Sequence, residues 1–270
     1  MESNIKEETE FLCSTCSKEP SGHINVERFI TSLDKCFLTN DLKKAQEIID
    51  FWKAEAFALN DERGRLSIVN EELGFYRRTA DAKKGLEAVS EALALIESLG
   101  LENDFSAADI FVNASTTLKC FKKPAEAIEF YEKAEKLFTS RGKRDFDYAA
   151  FLNNYASALS DLESYDKAEQ LYKKAISVLK ETGGHDGEIA VTLINLAHLI
   201  FDRDDTAYEQ TEKTLDEAWE YINSDNQKRD ANYAFILSKC APSLRYFQRE
   251  EQALACEQVA EEIYSGNAKK

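Results

Sequence analysis

The chain has 270 residues, of which 43% are hydrophobic, so a sizeable core can form. It carries 34 Lys and Arg against 50 Asp and Glu, a formal charge of −16, which disfavours nucleic acid and anionic membrane as partners because both require a basic surface. Only 10 Gly and 3 Pro are present, too few for a fold built on many special turns.

Residues 1–24 are polar and contain Pro20 and Gly22, and they read as a loose N-terminal arm. Its start is acidic, with no signal peptide, and no apolar run reaches the length of a membrane span. A cytoplasmic protein is therefore expected. The six cysteines are scattered, as in a reducing compartment. Cys13 and Cys16 with His23 leave two readings open, a metal or redox pair and a purely structural role, since zinc wants about four ligands.

From Asn25 onward the apolar residues recur at helical spacing. Phe29, Leu33, Cys36 and Phe37 mark a first helix, and Ala45, Ile49 and Trp52 a second. Leu73 and Tyr76, then Gly85, Val89 and Ala92, repeat the pattern. Phe111, Ala114 and Leu118 precede Ala127, Tyr131 and Ala134, with Pro124 opening the second helix, where a missing N–H costs nothing. Phe151, Leu152, Tyr155 and Ala156 precede Ala168, Tyr172 and Ala175. Leu196 and Ala197 precede Thr211, Leu215 and Ala218, across a longer turn at residues 202–205. Tyr233, Leu237 and Cys240 precede Ala253, Glu257 and Ala260, with Pro242 expected to kink the helix. Glu257 falls in the large apolar slot, as in a half-solvated capping helix, whose exposed edge would permit a weak homodimer. Trp52 and Trp219 are expected in the core, and Cys36, Cys120, Cys240 and Cys256 as small packed groups.

The first small residue of each second helix stands at 45, 85, 127, 168, 211 and 253, at intervals of 40, 42, 41, 43 and 42. A compact bundle has no reason to keep that period, whereas stacked units do. Asn154-Tyr155-Ala156, Tyr165, and Ala168 with Tyr172 and Ala175 carry a resemblance to the tetratricopeptide repeat, in the longer form of about 42 residues found in kinesin light chains and many bacterial proteins. The resemblance implies an all-α, right-handed α-solenoid of about six antiparallel helix pairs over residues 25–264, followed by a tail at 265–270. It further implies a protein or peptide partner held in a concave groove lined by the first helices.

The groove positions so implied are Asn70, Arg77 and Arg78 on the second repeat, Asn113 and Lys119 on the third, and Asn153 and Asn154 on the fourth. Asn195 and His198 follow on the fifth, and Lys239 and Arg245 on the sixth. Asn recurs at 70, 113, 154 and 195. An amide offers a donor and an acceptor together, which suits either an extended peptide backbone or the bonding of neighbouring repeats in register. The basic residues on this face of an acidic chain would suit an acidic peptide or a terminal carboxylate, for which Asn113, Lys119 and Asn154 supply part of a clamp. No nucleophile–base pair, metal set or phosphate loop is legible, so no enzyme, metal or cofactor is expected; a peptide-sensing regulator is the alternative to a scaffold or adaptor.

Overall fold

In the computed structural model, residues 22–39, 41–142, 144–225 and 228–265 are described. The Cys13–Cys16 pair and most of the arm, Asn40 at the first turn, and residues 266–270 lie outside them. The described residues are all-α, with helices α1 (Val26–Leu38), α2 (Leu42–Ala58), α3 (Glu62–Thr79), α4 (Ala82–Ser98), α5 (Ala108–Cys120) and α6 (Pro124–Arg141). There follow α7 (Phe146–Ser160), α8 (Tyr165–Thr182), α9 (Asp186–Arg203), α10 (Tyr208–Ile222), α11 (Ala231–Tyr246) and α12 (Glu250–Tyr264). The chain divides into two compact units, Met1–Lys122 and Lys123–Lys270, with the boundary in the turn before α6.

Every even-numbered helix begins three residues before its periodic small residue, so Ala45, Gly85, Ala127, Ala168, Thr211 and Ala253 occupy equivalent first-turn positions. All six are buried, which lets the partner backbone approach closely. At Gly85 not even a methyl fits, because a Cβ there would overlap the Phe121 ring. Helix starts are fixed by side-chain caps: Asp41, Asp61, Asp81, Asp145 and Asp230 accept from the amides of Lys44, Gly64, Lys84, Tyr148 and Tyr233. Pro124 opens α6 as expected. The turns within pairs repeat one geometry. Ala80, Lys122, Glu163 and Gln248 each stand two residues before the next helix with φ of 55°, 63°, 58° and 62°. The residue after three of them returns a backbone bond to the preceding helix, Asp81 to Tyr76, Ser164 to Leu159 and Arg249 to Leu244, which closes the helix end.

In the first unit α1 packs on α2, α3 on α4, and α5 on both α3 and α4. Glu72 of α3, only 3% exposed, accepts from Lys53 of α2 at 2.6 Å, and Lys53 also reaches Glu91 of α4 at 2.8 Å. Arg65 holds the other Glu91 oxygen at 2.7 Å. Burial raises the Glu72 pKa more than Lys53 lowers it. For Glu91 burial is outweighed by the bonds from Lys53 and Arg65, and its pKa falls. This network joins three helices. Ser115 on α5 is different: its hydroxyl is buried with no partner among the described residues. Replacing it with alanine removes an unsatisfied group, so Ser115→Ala is expected to stabilise the first unit by about 1 kcal/mol, read as a higher urea midpoint at unchanged m-value.

In the second unit α7 packs on α8, α9 on α10 and α11 on α12, while α8 packs on α9 and α6 on α7. Its core is aromatic where α6 meets α7, with the Phe151 ring 5.1 Å from Phe138 and 6.3 Å from Tyr131, centroid to centroid. The last helix buries only Ala253, Cys256 and Ala260, and Glu257 is exposed, the solvated face expected of it. Pro242 lies within α11. Cys36, Cys240 and Cys256 are buried, but Cys120 is exposed at the end of α5 and is not a packing group. Trp52 and Trp219 are half-buried rather than fully enclosed.

Candidate functional site

Each odd-numbered helix of the second unit buries one stripe and leaves another open. On α7 the open stripe runs through Phe146, Ala150, Asn153 and Asn154; on α9 through Glu188, Val191 and Asn195; on α11 through Asn232, Phe235, Lys239 and Ser243. These spacings of three and four place each set on one helical face. Together they line a concave cavity of about 490 Å³. Phe235 (53% exposed) and Phe146 (38% exposed) present their rings at its mouth. Lys239 lies over the Phe235 ring at 5.2 Å.

Asparagines tie the three helices together across the face. Asn195 Nδ2 donates to Asn153 Oδ1 at 3.1 Å, and Asn232 Nδ2 donates to Glu188 Oε1 at 3.4 Å. Each bond runs from a later repeat back to the one before it. The same device stands in the first unit, where Asn113 Nδ2 donates to Asn70 Oδ1 at 2.9 Å. There it is reinforced by Arg77, whose guanidinium donates to the Asn113 carbonyl at 3.0 Å and to Thr117 Oγ1 at 2.8 Å. The amide row therefore holds adjacent repeats in register. A primary amide has two donor hydrogens and two acceptor lone pairs, so the Asn153–Asn195 bond leaves Asn153 Nδ2 and Asn195 Oδ1 unused.

The expected groove residues thus fall into groups. Asn153, Asn154, Asn195 and Lys239 share one cavity wall in the second unit. Asn70, Arg77, Arg78, Asn113 and Lys119 belong to α3 and α5 of the first unit, where Arg78 lies over the Phe37 ring at 5.2 Å. Arg245 departs from the expectation. Its guanidinium is turned to the other helix of its own pair, donating to both Glu257 oxygens at 2.9 Å and to Glu250 at 3.1 Å. Two carboxylates on α12 within its reach explain the turn. His198 lies outside the cavity wall and packs against Tyr246 and Phe247, at 5.2 and 4.7 Å between ring centroids. Burial lowers its pKa, with Asp202 acting in the opposite sense.

Sequence reading missed Phe146, Phe235 and Asn232, although they continue the stripe of Asn153 and Lys239 by three- and four-residue steps and were accessible to that rule. Cys240 also lines the cavity, but burial pushes its thiol up to about 12, so it is no nucleophile near neutrality. Among the described residues no group of three or more His, Cys, Asp or Glu could hold a metal ion, and no helix is long and apolar enough to cross a membrane.

The family model for the tetratricopeptide repeat matches residues 147–207, which span α7, α8 and α9. No curated protein matches the sequence. Among solved structures, NprR in complex with its cognate peptide NprX is 15% identical with a TM-score of 0.63, covering 99% of this chain and 76% of that one. The apo form of the quorum sensor NprR from B. thuringiensis is 15% identical with a TM-score of 0.60, covering 96% and 70%. The nearly identical TPR-like repeats of a Podosopora anserina putative kinesin light chain are 12% identical with a TM-score of 0.52, covering 76% and 98%. At such identities the likeness carries the fold alone. Residues 147–207 thus match the tetratricopeptide repeat, and the rest of the chain shares the helix-pair fold of these structures.

Proposed function

We propose that the second unit binds an extended segment of a protein or peptide partner against α7, α9 and α11, and that the chain acts as a scaffold or adaptor. The observation that carries this is the Asn153–Asn195 pair lining a cavity of about 490 Å³, each amide with a group that this bond does not use. A donor and an acceptor facing one channel can pair with a peptide's backbone whatever its side chains, while Phe146, Phe235 and Val191 supply apolar contact. A second reading, a regulator that senses a peptide, draws support from the likeness to NprR, whose solved complex holds its cognate peptide.

The test is capture from the source cell's extract followed by titration of the purified partner. Asn154→Ala and the Asn153→Ala/Asn195→Ala double variant are compared with the wild type. Asn154 takes part in neither inter-repeat pair, so its loss leaves the repeat register intact. Each variant is expected to weaken binding about tenfold, the equivalent of one or two lost hydrogen bonds. Unchanged affinity in variants with a wild-type circular dichroism spectrum would place binding on another face.

A further inference from the structure

The open stripes of α9 and α11 do not stop at the cavity. On α9, Val191, Asn195, His198 and Asp202 continue one face; on α11, Phe235, Lys239, Ser243 and Tyr246 do the same. Where the two helices end, rings collect. Tyr246 and Phe247 are 5.1 Å apart in edge geometry, and Phe201 is 6.2 Å from Tyr246 and 5.8 Å from Phe247. Tyr208 joins through Phe201 at 6.5 Å. Tyr246 is 59% exposed and Tyr208 64% exposed, so this is a surface and not an extension of the core.

The surroundings of these rings are negative. Asp202 acts electrostatically on His198, and Asp202 and Glu163 both act on Tyr165. The turn that follows carries Asp204 and Asp205. Neighbouring cations have partners: Arg203 bonds Glu169 at 2.6 Å, Arg245 bonds Glu257, and Arg249 bonds Asp216 at 2.7 Å. The C-termini of α9 and α11, with their partial negative charge, lie at this same end. Exposed aromatic faces beside carboxylates attract a cation by two mechanisms at once, ring quadrupole and charge.

We propose that this end of the face is a subsite for a cationic side chain, guanidinium or ammonium, carried by the segment bound along α7, α9 and α11. It rests on the function proposed above and narrows it to a partner with a basic residue at one end of its bound stretch. Three capped, fluorescein-labelled decapeptides test it by anisotropy: alternating arginine–alanine, citrulline–alanine and glutamate–alanine. Proteins are the wild type, Tyr246→Ala, Asp202→Asn, Asn154→Ala, and Glu220→Gln, which makes the same charge change at an exposed position of α10.

The arginine peptide is expected to bind at least about tenfold more tightly than its citrulline counterpart, with about fivefold losses in Tyr246→Ala and Asp202→Asn and no loss in Glu220→Gln. The subsite is overturned if no peptide binds, if citrulline binds equally, or if Glu220→Gln loses as much as Asp202→Asn, which would mark attraction to the whole acidic chain. Loss in Asn154→Ala but not in Tyr246→Ala overturns the subsite and leaves the groove standing. The reverse pattern upholds the subsite and removes the groove. Tyr246 and Asp202 are exposed, so both variants are expected to fold, as circular dichroism will verify.

Discussion

Phe151→Ala is expected to cost the second unit about 4 kcal/mol. The ring is fully buried on α7. It stacks on Phe138 of α6 at 5.1 Å and on Tyr148 at 6.0 Å, and it touches Tyr131 and Tyr155 at 6.3 and 5.9 Å. Truncation removes the ring's transfer free energy and leaves a void whose walls are themselves rigid rings. Tyr155 is further held in place by a 2.7 Å bond from Lys167, so the cavity cannot collapse. Domains are stable by only about 5–15 kcal/mol, so the variant will approach unfolding. The chain has two tryptophans, Trp52 in the first unit and Trp219 in the second. In a Trp52→Phe background, urea unfolding followed by Trp219 fluorescence isolates the affected unit. A loss below about 1.5 kcal/mol would mean that the aromatic cluster repacks.

Lys53→Met is expected to cost the first unit about 3 kcal/mol at neutral pH, because it strands the Glu72 carboxylate in a site only 3% exposed. Glu91 suffers less, since Arg65 still holds it. The pH dependence follows from the directions of the shifts. The Glu72 pKa is already raised by burial, and losing Lys53 raises it further. A carboxyl with a raised folded-state pKa favours the fold fully below its unfolded value and loses that contribution as pH rises through the folded value. The deficit of the variant is therefore smallest in the acid range and grows toward neutrality. Glu91 has the opposite sign: its lowered pKa supports the fold above its unfolded value and ceases to do so as pH falls. Urea midpoints of wild type and variant at several pH values, in a Trp219→Phe background, resolve the two. A deficit independent of pH would show that Lys53 matters only for packing.

The helix pairs were legible because their signal is local. Small residues at 45, 85, 127, 168, 211 and 253 each recur at the same place in a second helix. Close backbone approach demands a small side chain wherever it occurs, so spacing alone announces the repeat. The candidate site was legible in part. Asn153, Asn154, Asn195 and Lys239, expected on the open face of first helices, line one cavity. That expectation failed for Arg245, whose partners lie on α12. It was also silent on the ring cluster around Tyr246, which needs the ends of two helices side by side.

The sequence by itself determined the all-α class, the repeat period and the stripe each helix buries, since all of these arise from neighbours a few residues apart. Only the tertiary structure decided which polar groups meet. Asn195 finds Asn153 across 42 residues of chain, Asn113 finds Asn70 across 43, and Lys53 finds Glu91 across 38. Such bonds form only within about 3 Å, so they depend on the lateral placement of one helix beside another, to which periodicity along either helix is blind.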